Sequence, residues 1–290
     1  MNIEKRQHPP TNSIVDCHQH FWQLSRGDYD WLTPELSVIY QDFSPKQLVP
    51  EISKNGINQT ILVQATDTEE ETHFLLDIAE NTKFVAGVVG WVDMENLSAL
   101  QRLKNLSVNP YFKGIRPMLQ DIDDINWILK IEFNQIFEFL VERQLSFDAL
   151  IRSKHLPAIY KLAQRYPALK IAINHCAKPD LSTPPTDTWK NALIKIAKCK
   201  NVSIKFSGLL TEAPLGHVSV DVIKPYFDHV IDTFGADRIM WGSDWPVIKL
   251  NGDYSLWVSI TNTLLKNLSN ADKYKIWSDN AKRFYSIPAY

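Results

Sequence analysis

Short apolar runs and longer amphipathic stretches take turns along this chain of 290 residues. The apolar runs predict strands over about Ser13 to His20, Gln59 to Gln64, Phe84 to Trp91, Phe112 to Arg116, Leu145 to Arg152, Leu169 to His175, Val202 to Ser207 and Arg238 to Asp244. Between them, apolar positions recur at helical spacing. These segments predict a helix from Pro45 to a stop at Gly56, then Thr72 to Asn81, Leu97 to Leu106, Phe133 to Arg143, His155 to Tyr166, Trp189 to Lys198 and Val220 to Phe234. Two more, Trp257 to Leu268 and Asp272 to Phe284, close the chain. The strand runs are continuous rather than alternating, which marks strands covered on both faces, as in parallel sheets. Eight strand–helix units in one chain predict the α/β class and a (β/α)8 TIM barrel. Residues 13–290 read as one barrel domain behind a polar tail, residues 1–12, which contains Pro9 and Pro10.

A barrel makes a demand on the polar residues: those that do chemistry should sit at the C-terminal ends of strands. Reading off those ends gives His18 and His20, Gln64, Trp91, Arg116, Arg152, His175, Lys205 and Asp244. In an extended segment Asp16, His18 and His20 share one face, and two imidazoles there can grip a metal ion or polarise a carbonyl. The last strand adjoins the first in a closed barrel, so Asp244 faces His18 and His20 as a general base for water, and as a third metal ligand. His175 is a second catalytic candidate. Arg116 and Arg152 present forks suited to a carboxylate or to hydroxyls, and Lys205 can polarise a carbonyl or pair with Asp244. Trp22, Trp31 and Trp245 flank these groups and suit stacking on a ring face. The plainer readings are core histidines with satisfied rings, a turn carboxylate, rim ion pairs and ordinary loop packing. The run Glu69-Glu70-Glu71 reads only as charge favourable to a helix start.

Composition narrows the partners. The net charge is -2 and 44% of residues are hydrophobic, so no basic surplus exists to hold nucleic acid or an anionic membrane. No apolar run is long enough to span a bilayer, and the polar start shows no apolar signal segment. Three cysteines with no Cys-x-x-Cys pair suit a reducing compartment, the cytoplasm. A small molecule is the expected partner, with a homodimer as the assembly.

Taken together, Asp16-x-His18-x-His20-Phe21-Trp22, Gly114-Ile115-Arg116-Pro117, His175-x-x-Lys178-Pro179, Lys205-Phe206-Ser207-Gly208-Leu209 and Gly242-Ser243-Asp244-Trp245-Pro246 resemble the amidohydrolase superfamily. The similarity runs from about Ile14 to Tyr285 and is greatest to its sugar-acid lactonases, the fuconolactone and rhamnonolactone hydrolases, near pyrone-dicarboxylate lactonase. The resemblance implies hydrolysis of a cyclic ester. In it Asp244 matches the general base, His18, His20 and His175 match metal-binding or carbonyl-polarising histidines, and Arg116 matches a substrate contact. The chain departs from metal-rich members, because its fifth strand ends in Arg152 and its seventh carries Lys205. Those charges disfavour a second cation, so the expectation is one weakly held divalent metal, zinc, or none. The rival activity is a metal-dependent decarboxylase of an aromatic or unsaturated carboxylic acid. A sugar-binding barrel without catalysis is the non-enzymatic rival.

Overall fold

A computed structural model of the protein describes residues 13–288, and the tail expected over residues 1–12 lies outside them. Eight strands pair in chain order, all parallel: β1 (Ile14–Gln19), β2 (Ile57–Val63), β3 (Val85–Gly90), β4 (Phe112–Ile115), β5 (Ser146–Ala149), β6 (Lys170–Ile173), β7 (Val202–Phe206) and β8 (Ile239–Trp241). The ring closes through the loop that follows β8. Asp244 donates its amide to the His18 carbonyl at 2.8 Å, and His20 donates to the Trp245 carbonyl at 2.7 Å. The expected barrel is therefore the observed one.

Helices fill the crossovers: α1 (Pro45–Asn55), α2 (Glu69–Glu80), α3 (Ala99–Leu106), α4 (Asn134–Glu142), α5 (Leu156–Arg165), α6 (Asp187–Ile196), α7 (Leu209–Glu212), α8 (Val220–Phe234), α9 (Tyr254–Leu264), α10 (Asn270–Tyr274) and α11 (Asn280–Phe284). Their starts follow from side chains that satisfy free amides. Thr68, Thr186, Ser219, Asp253 and Ser269 each accept from a backbone N–H in the first turn of α2, α6, α8, α9 and α10. Strand residues Val15, Cys17, Ile61, Val63, Val89, Ala172 and Met240 form one buried cluster, with Phe284, Tyr285 and Ile287 packed against it. The larger core lies where strands meet helices. Among the described residues no helix is long and apolar enough to cross a membrane.

Every strand ends sooner than its apolar run suggests, five by one residue and three by more: β5 at Ala149, β6 at Ile173 and β8 at Trp241. Pairing stops there and the chain turns away from the sheet, so Arg152, His175 and Asp244 stand on loops. The four-residue α7 was not expected, being too short to show a period. The helix expected over Asp272 to Phe284 is interrupted by a π-helical segment, Lys275–Asp279.

Candidate active site

The mouth of the barrel is built from β1, β6, β7 and the loop after β8. Asp244 stands at its centre with φ 60°, a left-handed conformation that Asp tolerates better than most residues. Its Oδ1 lies 3.2 Å from His20 Nε2, 3.6 Å from His18 Nε2 and 3.8 Å from His175 Nε2. The expected juxtaposition of the first and last strands is thus present. The expected common face of Asp16, His18 and His20 is not. The register of β1 against β2 shifts between Asp16 and Gln19, which breaks the simple alternation. Asp16 turns toward α9, where its Oδ2 accepts from Tyr254 Oη at 2.8 Å and its Oδ1 from the Ser243 amide at 2.8 Å. It anchors the Asp244 loop from behind, and burial pushes its carboxyl up to about 6.

His175 is presented by an unusual turn. Four consecutive residues, His175, Cys176, Ala177 and Lys178, have φ of 51°, 53°, 61° and 46°. None is glycine, so the turn carries backbone strain, a feature that clusters at functional sites. The His175 ring rests on Gly208 and its Nδ1 is 2.9 Å from Ser207 Oγ. A Cβ on Gly208 would come within 2.4 Å of His175 Nδ1, and Gly208 itself has φ +66°. Gly208→Ala is therefore expected to push the ring off Asp244 and lower kcat by about a hundredfold, since a shift near 1 Å can cost that much. Steady-state kinetics on a protein of unchanged circular dichroism checks it.

Around this centre a cleft of about 220 Å³ is lined by Trp31, Arg116, Met118, Gln120, Lys178 and Val247, with His20, His175 and Asp244 as its floor. Trp31 belongs to the loop after β1 and donates Nε1–H to the Ala65 carbonyl at 2.7 Å. Arg116 is buried and braced by Gln64, whose side chain donates to the Arg116 carbonyl at 2.8 Å and accepts from its guanidinium at 3.0 Å. Its Nε has no partner among the described residues, which leaves a donor for a bound oxygen.

Other expectations need correction. Lys205 does not line the cleft and does not pair with Asp244; it is fully buried beneath His18 and pairs with Asp148 at 2.5 Å. Trp22 and Trp245 are buried packing residues, not walls; Trp22 Nε1 donates to the Gln41 carbonyl at 2.8 Å. Arg152 is exposed outside the cleft wall, within electrostatic reach of Lys178 and Glu212. Glu71 is more than a helix-start charge. It is fully buried and accepts the amides of Ala65 and Thr66 at 2.9 and 3.0 Å, fixing the loop after β2. Burial pushes its carboxyl up to about 7.

Two functional neighbours escaped the sequence reading. Lys178 was visible only as part of a motif; its place in the wall depends on the left-handed turn. Asp148 had a signal, a lone carboxylate inside the apolar run Leu145 to Ile151 that must find a buried cation.

The electrostatics separate one base from three neutral rings. Burial opposes the Asp244 charge, but the His175 and His20 rings and Lys178 outweigh it and hold the carboxyl down at about 2. Burial pushes His175 down to about 3, and lowers His20. Burial and the Lys205 ammonium hold His18 far below the usual imidazole range. Those values mean an ionised Asp244 and a neutral His175 throughout pH 5 to 8, while burial favours the neutral forms of His18 and His20.

His18, His20 and Asp244 each offer one ligand atom, all within 4.8 Å of one another, and this group could hold a metal ion. The fit is partial. His20 Nδ1 faces the Val63 carbonyl at 2.8 Å, so its Nε2 bears a lone pair for a cation. His18 Nδ1 instead faces an ammonium.

An amidohydrolase family profile matches residues 15–287. The chain is 40% identical over 277 residues to an L-fucono-1,5-lactonase of Burkholderia ambifaria, covering 94% of this chain and 95% of that one. It is 30% identical over 285 residues to an L-fucono-1,5-lactonase of Burkholderia multivorans, covering 94% and 96%. A crystal structure of an amidohydrolase from Burkholderia multivorans with bound zinc is similar at a TM-score of 0.90 and 30% identity, covering 95% of this chain and all of that one. Decarboxylase structures are similar at 14% and 15% identity, a likeness of fold alone.

Proposed function

The chain belongs to the amidohydrolase family, and from that premise we infer that it hydrolyses a sugar-acid lactone, an aldono-1,5-lactone of the L-fuconate kind, to the open-chain acid. The observation that carries the reading is the Asp244 carboxylate, set within 3.8 Å of three imidazole nitrogens on the floor of a one-ring cleft.

In this reading Asp244 takes a proton from water, whose oxygen bonds to the lactone carbonyl carbon. Negative charge develops on the carbonyl oxygen and is received by the Nε2–H of His175, a donor of this kind contributing about a hundredfold or more. The ring C–O bond then breaks, and Asp244 or His175 passes a proton to the leaving ring oxygen. Arg116 meets a ring substituent through its free Nε–H, and Trp31 covers an apolar ring face. A divalent ion held by His20 and Asp244 would polarise the same carbonyl. An ester's alkoxide leaves more readily than an amine, so the neutral donors suffice for the chemistry.

The test is a pH-indicator assay over a panel of aldono-1,5- and 1,4-lactones. Turnover of at least one 1,5-lactone with kcat/KM of about 10⁴ M⁻¹s⁻¹ or more is expected. No acid release from any lactone, with carbon dioxide released from an aromatic acid, would reverse the assignment in favour of the decarboxylase. With Asp244 already ionised and His175 neutral, kcat/KM should stay nearly flat from pH 5 to 8 after the spontaneous rate is subtracted. An inflection near pH 6.5 would instead reveal a histidine titrating in its ordinary range.

The barrel over residues 13–290 carries the whole activity. The free thiols Cys17, Cys176 and Cys199 support a reducing compartment such as the cytoplasm. Assembly as a homodimer is readable by light scattering.

A further inference from the structure

Lys205 sits fully buried within β7, and its surroundings decide which hydrogen His18 carries. Its Nζ is 2.5 Å from Asp148 Oδ2, 3.0 Å from the Cys17 carbonyl oxygen and 3.2 Å from His18 Nδ1. Asp148 is itself held by Tyr285 Oη at 2.9 Å, Ser146 Oγ at 3.0 Å and Asn174 Nδ2 at 3.3 Å. An ammonium has three hydrogens and no lone pair, whereas the carboxylate and the carbonyl can only accept. At 2.5 Å from Asp148 Oδ2 the Lys205 side chain is the cation of a buried ion pair. The third hydrogen therefore goes to His18 Nδ1.

A neutral imidazole that accepts at Nδ1 carries its hydrogen at Nε2. His20 is the reverse, donating from Nδ1 to the Val63 carbonyl and bearing its lone pair at Nε2. The two rings are opposite tautomers. His18 Nε2–H points at the His20 Nε2 lone pair, 3.2 Å away, with Asp244 Oδ1 at 3.6 Å. A metal ligand needs a lone pair where the metal binds. His20 and Asp244 have one there, and His18 does not.

We propose that Lys205 is a positioning residue that fixes His18 as its Nε2–H tautomer, so that His18 donates to the His20 Nε2 lone pair and is withdrawn from metal ligation. The same ammonium explains why the His18, His20 and Asp244 group would hold zinc weakly despite its compact geometry.

The first measurement needs no Lys205 variant and no substrate. Long-range proton–nitrogen NMR on ¹⁵N-histidine-labelled protein is expected to show a protonated Nε2 and a bare Nδ1 for His18, assigned by its loss in His18→Gln. A protonated Nδ1 on His18 overturns the proposal. The second uses the double variant Lys205→Met with Asp148→Asn, which removes both buried charges together. In this folded variant His18 should lose its single tautomer. Zinc, titrated against a chromophoric chelator, should bind about tenfold more tightly or better, the scale on which neighbours of a ligand act. An unchanged tautomer with unchanged zinc affinity in the folded variant also overturns it. Inactivity of the wild-type protein on every lactone would end the proposed function while leaving the NMR result to stand or fall alone.

Discussion

Replacing Asp244 by Asn is expected to lower kcat on the lactone by about 10²- to 10⁴-fold, the usual contribution of a positioned general base. Asn is the right probe for two reasons. It keeps the shape and one acceptor oxygen but cannot take a proton from water. It also tolerates the positive φ of this position, 60°, which a β-branched or bulky residue would not. The hydrogen bond from the Asp244 amide to the His18 carbonyl that closes the barrel is made by the backbone and should survive. The far-UV spectrum and cooperative melting should therefore be retained while turnover is lost. A variant within tenfold of wild-type kcat would remove Asp244 from the role of base and with it the mechanism.

Asp148→Ala should be the most damaging single change to stability, about 3–5 kcal/mol, the cost of stranding one partner of a buried ion pair. Lys205 would keep only the Cys17 carbonyl and His18 Nδ1 as partners for a fully buried ammonium. Tyr285 Oη and Ser146 Oγ would lose their acceptor at the same time, and Asn174 Nδ2 would keep only the Ala172 carbonyl. Urea unfolding reads the loss as a lower midpoint. The double variant lacking both charges should recover a large part of it, so the paired changes will cost less than their separate effects added. A loss below about 1 kcal/mol for Asp148→Ala, the range of an exposed pair, would mean that solvent reaches Lys205 and that it is not held as described.

How far the sequence could be read differs from residue to residue. His18, His20 and Asp244 were legible because a barrel places strand ends at one mouth and its last strand beside its first. The roles of Lys205, Trp22 and Trp245 were not. Each sits next to the site along the chain, but sequence neighbours on a strand or tight loop point to different sides, and all three point into packing. Asp16 failed for a related reason. Period-two alternation holds only while the register holds, and β1 shifts its register between Asp16 and Gln19. Glu71 looked like one of three surface carboxylates, because a sequence window cannot show that two loop amides lie within its reach.

By itself the sequence determined the fold class, the order of strands and helices and the end of the barrel where chemistry occurs. Those follow from local hydrophobic period and from connection rules that leave few alternatives. Only the tertiary structure decided which cation meets which carboxylate and which nitrogen of His18 carries a hydrogen. Such pairings join residues far apart along the chain, Lys205 with Asp148 and Lys205 with His18, and they depend on distances of a few tenths of an ångström that no local pattern encodes.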